Sequence, residues 1–230
     1  MERKIDIIVV GDIQTNCWFY LLDEAEAESP QPCAVIDPGD EAELIISRIR
    51  ELNCVPRYIL LTHGHFDHLA ALAKLYEACG NGTFGENVPL PKVCIHRQDA
   101  QYVGKDALAA HRKSFAAIGA AYVEARWEAL TEADTLFEEG DMAGPLKVLH
   151  VPGHTPGSVC FYDEEAGVLF SGDTLFRGGY GRTDLPGGDW NELCQSLKRL
   201  LSMQGETVVL PGHGGATTVR EAAKALNGIL

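Results

Sequence analysis

The segment Tyr58-Ile59-Leu60-Leu61-Thr62-His63-Gly64-His65-Phe66-Asp67-His68 decides how this chain is read. Its first four residues are apolar, branched or aromatic, and predict a buried strand. The strand runs straight into three imidazoles and a carboxylate within six positions, in a chain that has only eight histidines altogether. Neutral imidazole and carboxylate are ligand types that suit zinc, iron or manganese. The segment therefore predicts a metal site at a strand end.

Working outward, three more segments offer the ligands such a site still lacks. They are His154 in Val151-Pro152-Gly153-His154, Asp173 in Phe170-Ser171-Gly172-Asp173, and His213 in Leu210-Pro211-Gly212-His213. Each follows an apolar run and a glycine. Loops at strand ends along one sheet edge can hold ligands rigidly, and glycine allows the tight turns that aim them inward. Taken singly, each is an ordinary turn residue; together with the first cluster they form a constellation.

Short branched and aromatic runs predict strands at 5–10, 18–22, 34–36, 58–61, 93–95, 146–151, 159–162, 168–170 and 208–210. Helices are predicted after Asp40-x-x-Glu43, Asp189-x-x-Glu192 and Thr218-x-x-Glu221, where a side-chain oxygen can cap the first turn. Leu69, Leu72, Leu75 and Tyr76 form one apolar stripe, and Trp190, Leu193, Leu197, Leu200 and Leu201 another. The stretch from Gln98 to Leu130 reads as helical, and 23–32 and 80–91 as loops, the second a surface loop or a lining of the substrate cleft. The order implies an α/β fold of two sheets with helices outside, in a single domain spanning 1–230.

Composition narrows the function. Nineteen basic against thirty-three acidic residues give a net charge of −14, which repels phosphate backbones and anionic membrane surfaces. Neither nucleic acid nor membrane is the expected partner. No apolar run approaches the roughly 20 residues of a membrane helix, and Ile5–Val10 is too short for a signal peptide. The expected location is cytoplasmic. Cys17, Cys33, Cys54, Cys79, Cys94, Cys160 and Cys194 form no Cys-x-x-Cys and read as buried thiols.

The pattern His-x-His-x-Asp-His, then His, Asp and His, resembles the metallo-β-lactamase superfamily, from Asn16-Cys17 and Asp37-Pro38-Gly39 through His213. Gly172-Asp173-Thr174-Leu175-Phe176 and Gly181-Arg182-Thr183-Asp184 are similar to the glyoxalase II branch and its persulfide dioxygenase relatives. The resemblance implies a four-layer α/β/β/α sandwich with two divalent metal ions at one edge, zinc first, with iron or manganese as alternatives. By position, His63, His65 and His154 would hold one metal, and Asp67, His68 and His213 the other. Asp173 would bridge them. Asp67 would also orient a metal-bridging hydroxide, and Asp37 would support the metal loops. The implied reaction is hydrolysis of a small-molecule thioester or glutathione conjugate such as S-lactoylglutathione.

Arg182 and Arg177 are the implied substrate-binding residues. Arg182 matches a basic position that contacts glutathione in the glyoxalase II branch; its alternative use is a salt bridge to Asp184. Only 17 residues follow His213, which aligns the chain with short glyoxalase II-like hydrolases rather than with longer ones carrying a helical glutathione-gripping module. The rival reading is a mononuclear iron persulfide dioxygenase, holding its metal through His63, His154 and Asp173. His96, His111 and His150 are read as having no direct role.

Overall fold

The computed structural model describes residues 5–22, 30–86, 88–120, 124 and 129–229. The first sheet contains β1 (Ile5–Val10), β2 (Thr15–Leu21), β3 (Gln31–Ile36), β4 (Cys54–Leu60), β5 (Lys92–His96) and β6 (Thr135–Phe137), in that spatial order. Pairing is antiparallel as far as β3 and parallel from β3 to β6.

The second sheet uses β7 (Met142–Ala143), β8 (Leu146–His150), β9 (Val159–Asp163) and β10 (Val168–Gly172). A small hairpin, β11 (Leu175–Phe176) with β12 (Gly179–Tyr180), follows before β13 (Val208–Pro211) and β14 (Thr217–Thr218) rejoin the sheet. Its order is β14-β13-β10-β9-β8-β7, with β10 and β13 parallel.

Alternation along the strands sorts the apolar side chains into layers. Trp18, Tyr20, Ala34, Ile36 and Leu60 of the first sheet meet Val148, Phe161, Phe170 and Leu210 of the second. Their neighbours Cys17, Phe19, Cys33, Val35 and Ile59 point the other way, onto helices α1 (Ala42–Glu51) and α2 (Leu72–Gly80). The far face of the second sheet, with Leu149, Cys160, Leu169 and Val209, packs on α4 (Trp190–Leu201) and α5 (Val219–Ala225). Helix α3 (Leu108–Ala117) completes the set. This is the α/β/β/α sandwich. Within that layer the Tyr20 hydroxyl donates to the buried Asp163 carboxylate.

Asp189 and Thr218 cap their helices as expected, accepting from the backbone N–H of Glu192 and Glu221. Asp40 does not. Glu41 is the residue before α1, in a left-handed conformation with φ 51° and no side-chain cap bond, while Asp40 Oδ1 accepts from the adjacent Glu41 N–H. The expected helical stretch 98–130 resolves into a 3₁₀ turn (Arg97–Tyr102) and α3; residues 121–123 and 125–128 lie outside the described residues. So does most of the expected 23–32 loop, whose last two residues belong to β3. The 80–91 loop joins the end of α2 to the start of β5, at the opposite end of the parallel strands from the histidines. None of the seven cysteines is in a disulfide, and all are buried except the half-buried Cys194. No helix among the described residues is long and apolar enough to cross a membrane.

Candidate metal centre

Strands β4, β8, β10 and β13 all end at one edge, and their following loops carry every ligand candidate. The loops are pinned across the two sheets: Val159 N–H donates to the Thr62 carbonyl at 2.8 Å, and Asn16 N–H to the Gly212 carbonyl at 2.7 Å. The Trp18 indole N–H also donates to the Pro211 carbonyl at 3.0 Å. Gly172 turns with φ 47° to release Asp173 into the site. Gly212 permits a close approach, because a Cβ there would overlap Asp173 Oδ1 and lie 2.6 Å from His68 Cε1.

Two sets of side chains converge. His63 Nε2 lies 3.1 Å from His65 Nδ1, which lies 2.8 Å from His154 Nε2. Beside them, His68 Nε2 and His213 Nε2 each lie 3.3 Å from Asp67 Oδ2 and 3.3 Å from each other. Asp173 reaches both sets: Oδ1 is 3.4 Å from His68 Nε2, and Oδ2 is 3.5 Å from His213 Nε2 and 3.7 Å from His154 Nε2. All seven residues singled out from the sequence are thus brought together.

The outer nitrogens fix which face of each ring looks inward. His154 Nδ1 donates to the Arg182 carbonyl at 2.7 Å and His213 Nδ1 to the Gln14 carbonyl at 3.3 Å. The Thr62 hydroxyl donates to Asp37 Oδ2, so it accepts from His63 Nδ1 at 3.1 Å. His68 Nδ1 donates to the same Asp37 oxygen at 2.9 Å. Each of these four rings is left with Nε2 aimed at the cluster. Burial, then the neighbouring imidazoles, pushes His63 well down, and the same causes take His65 down to about 3. Both therefore present lone pairs rather than protons.

The second set carries the opposite balance. Burial alone would lower His68, but Asp67, Asp173 and Asp37 overcome it and hold its pKa well above the usual value. Burial would raise Asp67 and Asp173, and the surrounding imidazoles hold both down. A pocket of buried carboxylates around imidazole nitrogens demands positive charge, which a divalent cation can supply in place of protons. The buried Asp173 Oδ1 and His65 Nε2 have no hydrogen-bond partner. An orphaned carboxylate oxygen aimed into this cluster fits cation ligation.

Arg182 lies next to the site, but its guanidinium makes a bidentate pair with Asp184, at 2.6 and 2.7 Å, on the surface. Its carbonyl is what touches His154. Arg177 is exposed, beside Phe176, whose ring sits edge-on to His213 at 6.4 Å. His96 and His150 stack face to face at 4.0 Å, and His111 is buried against Tyr102 and Phe115. None of these three belongs to either set. Asp99, which sequence reasoning missed, is fully buried and bonds to both histidine loops. A lone aspartate in a helical stretch carries no local signal of that role.

An α/β/β/α sandwich with paired His/Asp sets at one edge defines a class of metal-dependent enzymes. Residues 10–213 match the metallo-beta-lactamase superfamily, and the chain belongs to it. It is 36% identical over 223 residues to hydroxyacylglutathione hydrolase GloC of Haemophilus influenzae, covering 96% of each chain. Among solved structures it is similar to TTHA1623 in a di-iron-bound form, with 37% identity, TM-score 0.72, and coverage of 98% of this chain and 100% of that one. It is also similar to the B3 metallo-beta-lactamase BLEG-1, with 30% identity, TM-score 0.77 and coverage of 96% and 97%. The chain is thus a metal-binding protein of a hydrolase-like superfamily.

Proposed function

We propose that this chain is a binuclear metal-dependent hydrolase acting on thioesters of a carboxylate-bearing thiol such as glutathione. His63, His65 and His154 would hold one cation, zinc first, and Asp67, His68 and His213 the other, with Asp173 between them. The observation that carries the reading is the second convergent set. His68 and His213 close on Asp67 at 3.3 Å, a second donor set that a single cation held by His63, His154 and Asp173 would leave unused. When bound, the paired cations would supply Lewis acidity and water of lowered pKa.

The chain's own residues would do the rest. Asp173 places negative charge between two sites that would otherwise repel. Thr15 donates to Asp67 Oδ2 at 3.2 Å, holding the carboxylate that is to accept a hydrogen bond from the attacking water. Arg182 can exchange Asp184 for a substrate carboxylate, because an exposed ion pair is screened by water and held weakly. Residues 1–230 would act as one unit, since each ligand set draws on both sheets. The resemblance to GloC supports a glutathione conjugate as substrate.

A substrate panel tests this reading: S-lactoylglutathione, other thioesters, a β-lactam, and glutathione persulfide with oxygen uptake recorded, on zinc-, iron- and manganese-loaded protein. Thioester hydrolysis with two metals per chain is expected, abolished in Asp173→Ala with the fold intact. One iron per chain with oxygen consumption on the persulfide would overturn it in favour of a dioxygenase.

A further inference from the structure

Two buried carboxylates stand behind the centre: Asp37 reaches both ligand sets, directly at His68 and through the Thr62 hydroxyl at His63, whereas Asp99 reaches the first alone. Asp37 accepts from Thr62 N–H at 2.8 Å, from the Thr62 hydroxyl at 2.7 Å and from His68 Nδ1 at 2.9 Å. Asp99, in the 3₁₀ turn Arg97–Tyr102, is equally enclosed but hydrogen-bonds no imidazole. Its Oδ2 accepts from Gly64 N–H at 2.8 Å and from the Thr155 hydroxyl at 2.6 Å, and its Oδ1 from Gly157 N–H at 2.8 Å.

Gly64 lies between His63 and His65, and Thr155 follows His154. One carboxylate therefore grips both loops that carry the first set, and those loops leave different sheets. The contact is built closely. A Cβ at Gly157 would lie 2.6 Å from Asp99 Cγ, and one at Gly64 would lie 2.7 Å from Tyr102 Cβ, in the same turn. No other described side chain accepts from Gly64, Thr155 and Gly157 together.

We propose that Asp99 is the positioning residue of the first cation site: it sets the approach of His65 to His154 and stations an anionic charge behind that set alone. The proposal rests on the ligand assignment above. An asparagine at 99 would keep one acceptor oxygen but turn an NH₂ group toward N–H or O–H donors, so the two loops would separate where His65 Nδ1 and His154 Nε2 now stand 2.8 Å apart. Asp67, His68 and His213, backed by Asp37 instead, would be left as they are.

The experiment isolates each set in the full-length chain. In a His213→Ala background, competition between the protein and a zinc chelator reads the first set; in a His154→Ala background it reads the second. Asp99→Asn is expected to weaken zinc about 10–100-fold in the first background and to leave the second unchanged. The visible spectrum of cobalt in the first set should lose tetrahedral intensity. Equal weakening in both backgrounds, or none in the first, would overturn the proposal.

If Asp99→Asn fails to fold, Thr155→Val removes one donor while keeping the carboxylate, and should produce a smaller loss confined to the first set; no loss there overturns the proposal as well. A His154→Ala protein that still holds two zinc ions would sink the ligand assignment itself. A normal loss there beside an unaffected Asp99→Asn sinks only the role of Asp99.

Discussion

Gly212→Ala is the sharpest probe of the centre, because it adds one methyl group and changes no charge or ligand. Gly212 does not have a positive φ, so alanine meets no backbone penalty there. Its Cβ would overlap Asp173 Oδ1 and stand 2.6 Å from His68 Cε1. Carbon contacts relax at about 3.5–4.0 Å, so Asp173 and His68 must each retreat by about 1 Å, or the turn must open. Overpacking of this size costs about 1–3 kcal/mol, or about 2–4 °C in Tm per kcal/mol for a chain of this length. Catalysis should suffer far more, since a misplacement of about 1 Å is worth roughly 100-fold in rate.

The assay is initial-rate thioester hydrolysis beside thermal unfolding and metal content, on Gly212→Ala and on Gly179→Ala. Gly179 also lacks a positive φ, and a Cβ there would meet nothing within 4 Å, so this control should match the parent. A Gly212→Ala enzyme with parental kcat/KM and full metal content would refute the claim that this turn fixes Asp173.

Removing the metals should lower Tm by about 5–11 °C for each site held at a free metal concentration near 100 times its Kd, where binding at one site contributes about 2.7 kcal/mol; an unchanged melting curve after chelation would deny that the ligands form a site in the folded state. Burial, with the stacked His150, pushes His96 down to about 4. The native state therefore resists its protonation, so its contribution to stability is present above the ordinary histidine value and is lost as pH falls from about 6.5 towards 4. His96→Asn should flatten the dependence of the urea midpoint on pH across that window, and identical slopes would count against it. Asp189→Ala should cost about 1 kcal/mol, through the lost bond to Glu192 N–H at 2.9 Å, whereas Asp40→Ala should cost less than half of that, as measured by chemical denaturation.

The convergence of the candidate ligands was legible because each part of it is local. Three imidazoles and a carboxylate fall within His63–His68, and the remaining candidates follow apolar runs ending in glycine. Strands of four residues or more show an apolar pattern and were found; β6, β7, β11, β12 and β14 have only two or three residues and cannot show a period. Asp40 misled because Asp40-x-x-Glu43 satisfies the capping pattern, while the left-handed turn at Glu41 rotates the side chain onto its neighbour's N–H. Arg182 had two readings, and the structure shows its guanidinium on Asp184, as the short spacing allows, with its carbonyl on His154.

What stayed illegible is the supporting layer, and the reason is distance along the chain. Asp99 meets partners 35, 56 and 58 positions away. A hydrogen bond of that kind leaves no mark on periodicity or composition near residue 99. Ligands must present a particular atom to a cation, which restricts the residue type and, in a loop, the spacing. A residue that only grips backbone N–H groups needs nothing but a carboxylate at the right point in space. The first set therefore has two layers of very different visibility: imidazoles that announce themselves in the sequence, and a carboxylate behind them that only the meeting of the two sheets reveals.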